Sequence, residues 1–421
     1  METPRLTQNI SDLLIVGGGA SGLTMALAAA QAGFKVTLAD GGALASGARP
    51  DARSYAIAPA SMQLFSVLGI GGALLAAAQP VRRMAIGDAP SEAQHKSLIR
   101  LDFKENDVAS DQDAPLAFII ENKHLLDALM SAVCTKTHIS IASNSPIRGF
   151  EQIPGAVKVW FADGSSTVAQ MVIGADGRSS AVRDLCAIDV MSWRYQQTGI
   201  AATLTHEKTH EGVAYDLFLP SGPIGVLPLR ENRSSIVWCE APETAAVLMK
   251  LTPEEFCAEL NQRLDGRLGG LALEGERAAF PLALSVAENM IAPRVALIAD
   301  AAHSLHPLAG QGLNIGLRDI AALIDVLIDA RALGLDIGAE TTLERYQRWR
   351  RFDNLSYALS MDALNQVFGW KAPPLRLLRH AGLALTNALS PVRKLLAKEA
   401  SGLSESAPRL LRGEPLPSAL A

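Results

Sequence analysis

Length, composition and charge already exclude several classes of protein for this chain of 421 residues. Hydrophobic residues make up 49% of it, which is enough for a large core, and the length predicts two interlocked domains rather than one. The formal net charge of −5 argues against nucleic acid as a partner.

The cysteines and the apolar runs also limit the possibilities. Cys134, Cys186, Cys239 and Cys257 form no CxxC pair and stand near no set of histidines, so we expect free thiols rather than disulfides or a metal centre. Residues 1–11 are polar, and the apolar run 13–16 is too short for the core of a signal peptide. Later apolar runs are broken by charges or glycines before they reach spanning length. These patterns predict a cytoplasmic protein.

A glycine-rich turn between a strand and a helix stands near the amino terminus. Residues 12–16 are predicted as a strand, residues 17–22 read GGGASG and meet the pattern G-x-G-x-x-G, and residues 21–32 are predicted as a helix. A second strand, 35–39, ends in Asp40. The glycine pattern alone is weak, but these elements follow one another in the order of a dinucleotide-binding unit.

Each residue of this unit has a physical role in such a site. Gly17 permits the tight turn, Gly19 lets the backbone approach a pyrophosphate, and Gly22 lets helix and strand pack. Asp40 can accept hydrogen bonds from an adenosine ribose and disfavours a ribose 2′-phosphate. The unit therefore predicts FAD or NAD as ligand; the alternative is a tight turn without a ligand.

The middle of the chain contains a predicted hairpin followed by a predicted antiparallel sheet. Residues 157–161 and 167–174 alternate as a hairpin and run into DGRSSAVR at 176–183. From about 198 to 282, short apolar runs and turns predict an antiparallel sheet, interrupted by a helix at 253–264. This run of predicted antiparallel strands indicates a second domain.

The stretch 295–319 combines a strand, an acid and a glycine-rich helix start. Residues 295–299 are predicted as a parallel strand, and Asp300 stands at its carboxyl end, where open α/β sheets bind ligands. Pro307, Gly310 and Gly312 allow close approach to a flat ligand, and the helix that begins at Leu313 offers its first amides to an anion. His303 and His306 are three residues apart, but no third ligand accompanies them, so we expect no metal.

These motifs carry a family resemblance. The pattern DAAHxxxPxxGQGxNxGxxD at 300–319 resembles the second flavin-contacting motif of the group A flavoprotein monooxygenases, which hydroxylate aromatic rings. Its spelling is most similar to the ubiquinone-biosynthesis monooxygenase family, which usually has Gly where this chain has Ala299. The DG segment at Asp176 is similar to a further motif of the same enzymes, and the resemblance extends from about residue 12 to 402.

The resemblance implies a set of site residues. Pro307, Gly310, Gln311 and Gly312 would form the wall beside the reacting atoms, and no side chain is identifiable as a general base. The cofactor would be bound by Gly17, Gly19, Gly22, Asp40, Arg53, Asn122, Asp176, Asp300, Gly310, Gly312, Leu313 and Asn314. The cofactor is expected to be FAD, with NAD(P)H as a transient co-substrate, because a second strand-glycine-helix unit for nicotinamide is missing.

The expected fold is α/β, with a Rossmann-like FAD-binding domain interleaved with an antiparallel-sheet substrate domain and followed by C-terminal helices. The FAD-binding domain is predicted at 1–80, 115–190 and 285–335, the substrate domain at 81–114 and 191–284, and the helical region at 336–421. Helices are expected at 313–333, 343–368, 375–389 and 392–397. Residues 401–421 are expected to be loose.

Charge is uneven towards the carboxyl end. Residues 371–421 hold eight Lys/Arg and three Asp/Glu, a balance of +5, which leaves −10 for residues 1–370. Such a tail suits anionic lipid at the inner membrane or an acidic partner in a ubiquinone-biosynthesis complex; a solvated helical face is the alternative. A solvated face is also expected for the charged residues Glu344, Arg345, Arg348, Arg350, Arg351 and Asp353.

The resemblance thus implies an FAD-dependent NAD(P)H aromatic monooxygenase. The expected substrate is the aromatic ring of a polyprenylated phenol or quinol in ubiquinone biosynthesis, and the oxygen comes from O2. Two alternatives stay open: a flavin hydroxylase of a small soluble aromatic acid, and a low-turnover flavin-binding component of a biosynthetic complex.

Overall fold

Over the residues that it describes, two eight-stranded sheets and one three-stranded sheet carry the fold of this computed structural model. The structure describes residues 10–42, 53–88, 98–107, 114–219, 221–304, 310–369, 373–404 and 406–417. Its strands are β1 Ser11–Val16, β2 Val36–Ala39, β3 Ser54–Ile57, β4 Gln79–Val81, β5 Arg83–Asp88, β6 Leu98–Lys104, β7 Ala117–Glu121, β8 Ile139–Ala142, β9 Ile147–Ile153, β10 Ala156–Phe161, β11 Ser166–Gly174, β12 Val190–His206, β13 Val213–Leu219, β14 Gly222–Leu229, β15 Arg233–Glu240, β16 Leu271–Ala287, β17 Ile291–Ala292, β18 Val295–Leu297 and β19 His303–Ser304.

The helices lie between and after these strands. They are α1 Ala20–Gln31, α2 Pro59–Val67, α3 Gly71–Ala77, α4 Asn122–Cys134, α5 Ala181–Leu185, α6 Pro242–Leu248, α7 Pro253–Arg263, α8 Gly312–Ala332, α9 Glu340–Gly369, α10 Pro373–Ala388 and α11 Ser390–Ser401. The α/β fold class predicted from the sequence is confirmed by this mixture of layers. No helix of the described residues is long and apolar enough to cross a bilayer.

The first sheet is built around five parallel strands in the order β18-β11-β1-β2-β8. β17 pairs antiparallel with β18, and β9, β10 and β11 form an antiparallel meander. Strands covered on both faces need continuous apolar runs, and Leu13, Leu14 and Ile15 of β1 are all fully buried. The alanines of α1 let this helix pack closely on the sheet, and α8 packs beside it.

The second sheet has the order β19-β16-β12-β15-β14-β13-β5-β6 and is antiparallel except where β13 meets β5. Side chains alternate between its faces. One face packs Val226, Ile236 and Trp238 against Phe256 of α7. The other face packs through Ala214 onto β3 and β7 of the three-stranded sheet. The second sheet therefore turns one face towards the three-stranded sheet.

The carboxyl end differs from the expectation that residues 401–421 are loose, and that prediction is wrong for 406–417. Leu410, Leu411 and Leu416 are at most 8% exposed and belong to the main core. The backbone N–H of Arg409 donates to Asp325 Oδ2 of α8 at 2.9 Å, and its guanidinium donates to Asp329 at 3.0 Å. Apolar burial and these ionic contacts hold the segment on α8, and its Pro and Ser composition gave no sign of either.

Candidate active site

The carboxyl ends of four adjacent parallel strands meet at one edge of the first sheet, here called the carboxyl edge. Val16 of β1 pairs in register with Ala39 of β2 and Gly174 of β11, and Gly174 pairs with Leu297 of β18. The residues that follow these ends are the predicted Gly17, Asp40, Asp176 and Asp300, so the structure brings the three separate motifs together. Ligands of open α/β sheets bind at such an edge.

The glycine turn after β1 has no room for side chains at Gly17 and Gly22. Gly17 has φ +116°, and a Cβ on it would lie 2.3 Å from the Ala175 carbonyl oxygen. A Cβ on Gly22 would lie 1.8 Å from the Gly17 oxygen, so helix and turn are in direct contact. At Gly19 no atom of the described residues lies within 4 Å of such a Cβ, and no side chain caps the first amides of α1. Open space therefore faces the first amides of α1, which fits a pyrophosphate.

Asp40 is fixed beside this turn. Its Oδ2 accepts the backbone N–H of Gly18 at 2.6 Å, and its Oδ1 accepts that of Gly42 at 2.7 Å. A carboxylate accepts about four hydrogen bonds, so both oxygens keep capacity for ribose hydroxyls. The aspartate therefore stabilises the glycine turn and remains able to bind an adenosine ribose.

Asp300 is presented on a tight turn. β18 ends at Leu297, two residues earlier than predicted, because Ala299 adopts φ +52° and the chain enters a single 3-10 turn, Ala299–Ala301. Asp300 is exposed, and no hydrogen-bond partner of its carboxylate is found in the described part of the chain. Both neighbours are held: the Ala299 N–H donates to Asp319 Oδ2 at 3.0 Å, and the Ala301 oxygen accepts from Arg183 at 3.2 Å. The exposed acid thus stands on a fixed backbone.

A buried charged cluster lies beneath this turn. Asp319 of α8 is fully buried; its Oδ2 lies 2.5 Å from His303 Nε2, and its Oδ1 accepts from Arg350 of α9 at 2.8 Å and from Asn354 at 3.2 Å. Burial raises the pKa of the Asp319 carboxyl, but the charges and hydrogen bonds of His303 and Arg350 outweigh it and lower the pKa to about 2. The cluster joins the strand-end turn, α8 and α9.

Arg350 is the clearest correction in this region. The sequence predicted it as part of a solvated face, yet its side chain is 2% exposed and pairs with Asp319 as well as with Asp353 at 2.7 Å. Arg348, two residues earlier on α9, is 74% exposed as predicted. Helical spacing places the two arginines on different faces. The ion pair could not be read from local sequence, because its partners are separated by 31 residues.

Asp176 is tied into the protein framework. Its Oδ1 accepts the Ser180 hydroxyl at 2.5 Å, and its Oδ2 accepts the Val182 N–H at 3.1 Å. Ser180 in turn caps α5 by accepting the Arg183 N–H at 3.0 Å. Arg183 donates to the Ala301 oxygen of the Asp300 turn. The DG motif therefore holds the turn at Ala301, and Asp319 holds it at Ala299.

The start of α8 is attached to β3. Gly310 has φ +60°, and a Cβ on it would lie 3.1 Å from the Cβ of Ala56. The Asn314 amide accepts the Ala58 N–H at 2.9 Å and donates to the Ala56 oxygen at 2.7 Å and to Gln311 Oε1 at 3.2 Å. Asn314 therefore positions the segment 310–312 through the backbone of β3.

The remaining predicted residues flank this segment or lie outside the described residues. A Cβ on Gly312 would meet no described atom within 4 Å, and Leu313 is 9% exposed. Arg53 precedes β3 and Asn122 follows its partner β7; the Asn122 N–H donates to the Arg53 oxygen at 3.0 Å. β3 therefore links this pair to Gly310. Pro307 and His306 lie outside the described residues.

Comparison with known proteins agrees with this geometry. A family model described as FAD binding domain matches residues 11–351. Among curated proteins, the chain is 35% identical over 414 residues to ubiquinone hydroxylase UbiL of Rhodospirillum rubrum, covering 97% of this chain and 94% of that one. It is 32% identical over 402 residues to 3-demethoxyubiquinol 3-hydroxylase of Escherichia coli, covering 94% of this chain and 100% of that one.

A solved structure shows the same fold at lower identity. The p-nitrophenol 4-monooxygenase PnpA of Pseudomonas putida superposes with a TM-score of 0.77 at 20% identity, covering 93% of this chain and 97% of that one. The carboxyl-edge geometry, the matched family and the full-length relatives agree. The chain therefore belongs to the FAD binding domain family and, within it, to the FAD-dependent monooxygenases that include the ubiquinone-biosynthesis hydroxylases.

Proposed function

We propose that the protein hydroxylates the aromatic ring of a polyprenylated phenol or quinol in ubiquinone biosynthesis, with NAD(P)H and O2 as co-substrates. The observation that carries the proposal is the near full-length similarity to two relatives named for ubiquinone and demethoxyubiquinol hydroxylation. The spelling HPLAGQGLNIGLRD at 306–319 also supports it. When bound, FAD supplies the redox chemistry that activates O2.

The protein's own contribution is to bind, orient and exclude water. In this proposal Gly17, Gly19 and Gly22 with the first amides of α1 hold the pyrophosphate, Asp40 holds the adenosine ribose and Asp300 holds the ribityl chain. Arg53, Asn122, Asp176, Leu313 and Asn314 complete the cofactor site, directly or by positioning its backbone. Pro307, Gly310, Gln311 and Gly312 form the wall beside the reacting ring and keep water away.

The proposed domain division follows from these roles. The FAD-binding unit takes residues 1–80, 115–190 and 285–335, which include the carboxyl edge and α8. The substrate unit takes 81–114 and 191–284, which supply most of the second sheet. Residues 336–421 form the helical region, from which α9 sends Arg350 back to the cofactor side.

Complementation tests the reaction. A strain without ubiquinone hydroxylases should regain ubiquinone with the wild-type gene and fail with Gly310→Val, because a side chain at φ +60° would press on Ala56 and displace the wall. Gly334→Val is the matched control, since Gly334 has φ +68° but no atom near its Cβ position. Purified Gly310→Val should oxidise NAD(P)H with more hydrogen peroxide and less product than the control.

The two alternatives predict different results. A hydroxylase of a small aromatic acid would restore no ubiquinone and would turn over rapidly with soluble benzoates. A low-turnover component of a biosynthetic complex would bind FAD and form no product even with prenylated phenols. Either result would replace the proposed substrate while leaving the cofactor assignment in place.

We further propose that α10 and α11 contact the surface of an anionic membrane, where a polyprenylated substrate dissolves. Large apolar side chains there are 39–68% exposed, namely Leu385, Leu389, Val392, Leu395 and Leu396. Lys394 and Lys398 are exposed beside them. Exposed apolar and cationic side chains on one helix pair are typical of an interfacial helix.

Arg393 belongs to the protein's own framework and is unsuitable for testing this contact. Its Nε donates to Asp107 Oδ2 at 2.9 Å, and the Asp107 side chain is 4% exposed. The informative change is Lys394→Glu with Lys398→Glu, compared with Lys250→Glu at an exposed turn elsewhere. Co-sedimentation with vesicles containing phosphatidylglycerol should fall only in the double variant; equal binding by both proteins would favour the solvated-face alternative.

A further inference from the structure

An acid stands on the inner face of the second sheet, defined here by Ala214, Asp216, Phe218 and Gly225. Tyr215 and Leu217 of β13 pack on the α7 side, so alternation turns Ala214, Asp216 and Phe218 to the opposite side. Ala214 there shares a buried cluster with Ala56, the residue that Gly310 contacts. Asp216 lies two residues, or about 7 Å, further along β13. The acid therefore lies on the face of the second sheet that packs, through Ala214 and Ala56, towards the segment 310–312.

The surroundings of Asp216 bury its carboxylate without giving it a hydrogen-bond donor among the described residues. Gly225 is its antiparallel pair, and a Cβ on Gly225 would lie 3.4 Å from Asp216 Oδ1. Ile86 pairs with it on the other side and offers no polar atom in its side chain. No hydrogen-bond donor to the carboxylate is found among the described residues, whereas the partly buried acids Asp40 and Asp176 both accept hydrogen bonds from the protein.

Such a carboxylate is costly unless a ligand uses it. Burial raises the pKa of Asp216 from its ordinary value of 3.8 to about 6. The described titratable group that senses Asp216 is the Cys239 thiol, whose pKa burial raises to about 12, with smaller contributions from Glu240 and Asp216. Gly225 and Ile86, which pair with Asp216 on the neighbouring strands, carry no titratable group. At neutral pH the carboxyl group of Asp216 is thus ionised on the inner face.

We propose that Asp216 is a catalytic residue that binds the phenolic hydroxyl of the substrate and accepts its proton during hydroxylation. The inference deepens the proposed function and rests on a phenolic substrate. As a ring carbon gains one oxygen atom of O2, the O–O bond breaks, and the two electrons of NAD(P)H reduce the other oxygen atom to water. The phenolic O–H bond breaks at the same time, its proton passes to Asp216, and its electron pair becomes the second C–O bond of a ring carbonyl. The C–H bond at the hydroxylated carbon then breaks, its proton leaves to water, and Asp216 returns its proton to the ring oxygen.

Binding by the FAD-loaded protein tests the contact separately from turnover. Wild type should bind a short-chain prenylated phenol about tenfold or more tightly than its methyl ether, because a hydrogen bond to a charged group is strong. Asp216→Leu, which has similar size and no acceptor, should abolish that preference. Quenching of flavin fluorescence measures both affinities, and Asp265→Asn at an exposed turn is the control. A preference that survives Asp216→Leu would overturn the inference.

Turnover tests the proton transfer. Product formed per NAD(P)H oxidised should fall in wild type as pH falls through about 6, because the acid must be ionised to accept the proton. Asp216→Asn should be uncoupled at every pH and release hydrogen peroxide, whereas Asp216→Glu should regain part of the coupling. Coupled turnover by Asp216→Asn equal to wild type would overturn the assignment.

Stability separates this role from a structural one. The raised pKa means that the folded protein binds the proton more tightly than the unfolded chain, so ionisation costs stability as pH rises from about 4 through 6. Asp216→Asn should therefore raise the urea midpoint at pH 8 and not at pH 4. A lower midpoint at pH 8 would indicate a structural acid and contradict the proposal.

Failure of the proposed function gives a different pattern. If wild type hydroxylates a soluble hydroxybenzoate and no prenylated phenol, the proposed substrate is wrong. The comparison of phenol and methyl ether is then made with that acid. The role assigned to Asp216 is wrong only if the Asp216→Leu variant still binds the phenol more tightly than its methyl ether.

Discussion

The carboxyl edge of the first sheet and the inner face of the second sheet treat their acids differently. At the carboxyl edge, Asp40, Asp176 and Asp319 each accept two or more hydrogen bonds from the protein. On the inner face, Asp216 has only glycine and apolar neighbours on the paired strands. The paired acids build the framework of the site, whereas Asp300 and Asp216, to which no described group donates, are the acids available to a ligand.

The largest effect is expected where the carboxyl edge is most completely paired. Arg350→Met should lower the free energy of unfolding by about 3–5 kcal/mol, because it leaves the buried Asp319 charge without its guanidinium. Urea unfolding measures this, with Arg348→Met on the exposed face of α9 as the control. Similar stabilities for the two variants would show that the cluster does not brace the edge.

A second change tests the exposed acid that this framework presents. Asp300→Ala should weaken FAD binding by about 10- to 100-fold while leaving the urea midpoint close to that of wild type, because Asp300 is exposed and accepts no hydrogen bond from the described residues. Titration of the apoprotein with FAD gives the affinity. Asp184→Ala, at a side chain that is 71% exposed, should bind FAD normally. Unchanged affinity in Asp300→Ala would remove this residue from the cofactor site.

The pH dependence of stability should distinguish the paired acid from the unpaired one. Because its folded pKa is lowered to about 2, Asp319 adds stability above its ordinary pKa of 3.8 and loses that contribution as pH falls towards 2. Wild type should therefore lose more stability than Asp319→Asn between pH 5 and pH 2.5 in urea unfolding. This is opposite in direction to the expectation for Asp216. Parallel curves would mean that the ion pairs of Asp319 contribute nothing.

The smallest expected effect concerns Ala299. Its φ of +52° is a conformation that glycine adopts freely, so Ala299→Gly should relieve about 1 kcal/mol of backbone strain, less what the lost methyl contact with Gly316 contributes. Thermal unfolding measures the gain. Ala302→Gly, at φ −92°, should instead destabilise. If both substitutions lower the unfolding temperature equally, Ala299 carries no backbone strain.

The sequence predicted what is local and missed what is distant. Gly17 and Gly22 were predictable because steric contact within a strand-turn-helix unit requires glycine there. The pairing of Asp319 with Arg350 was not predictable, because the two residues are 31 positions apart. Local sequence also does not show which arginine of α9 is buried and which is exposed. Asp216 was missed for the same reason, because its face and its glycine neighbour are known only once the order and register of the second sheet are known.

The attachment of residues 409–412 to α8 has a consequence for synthesis. The core that contains β1 also contains Leu410, Leu411 and Leu416, so its first strand and its last leucines are about 400 positions apart. A chain emerging from the ribosome cannot finish that core until nearly all of it has been translated. The apolar faces of its early strands and helices therefore stay incompletely buried during elongation.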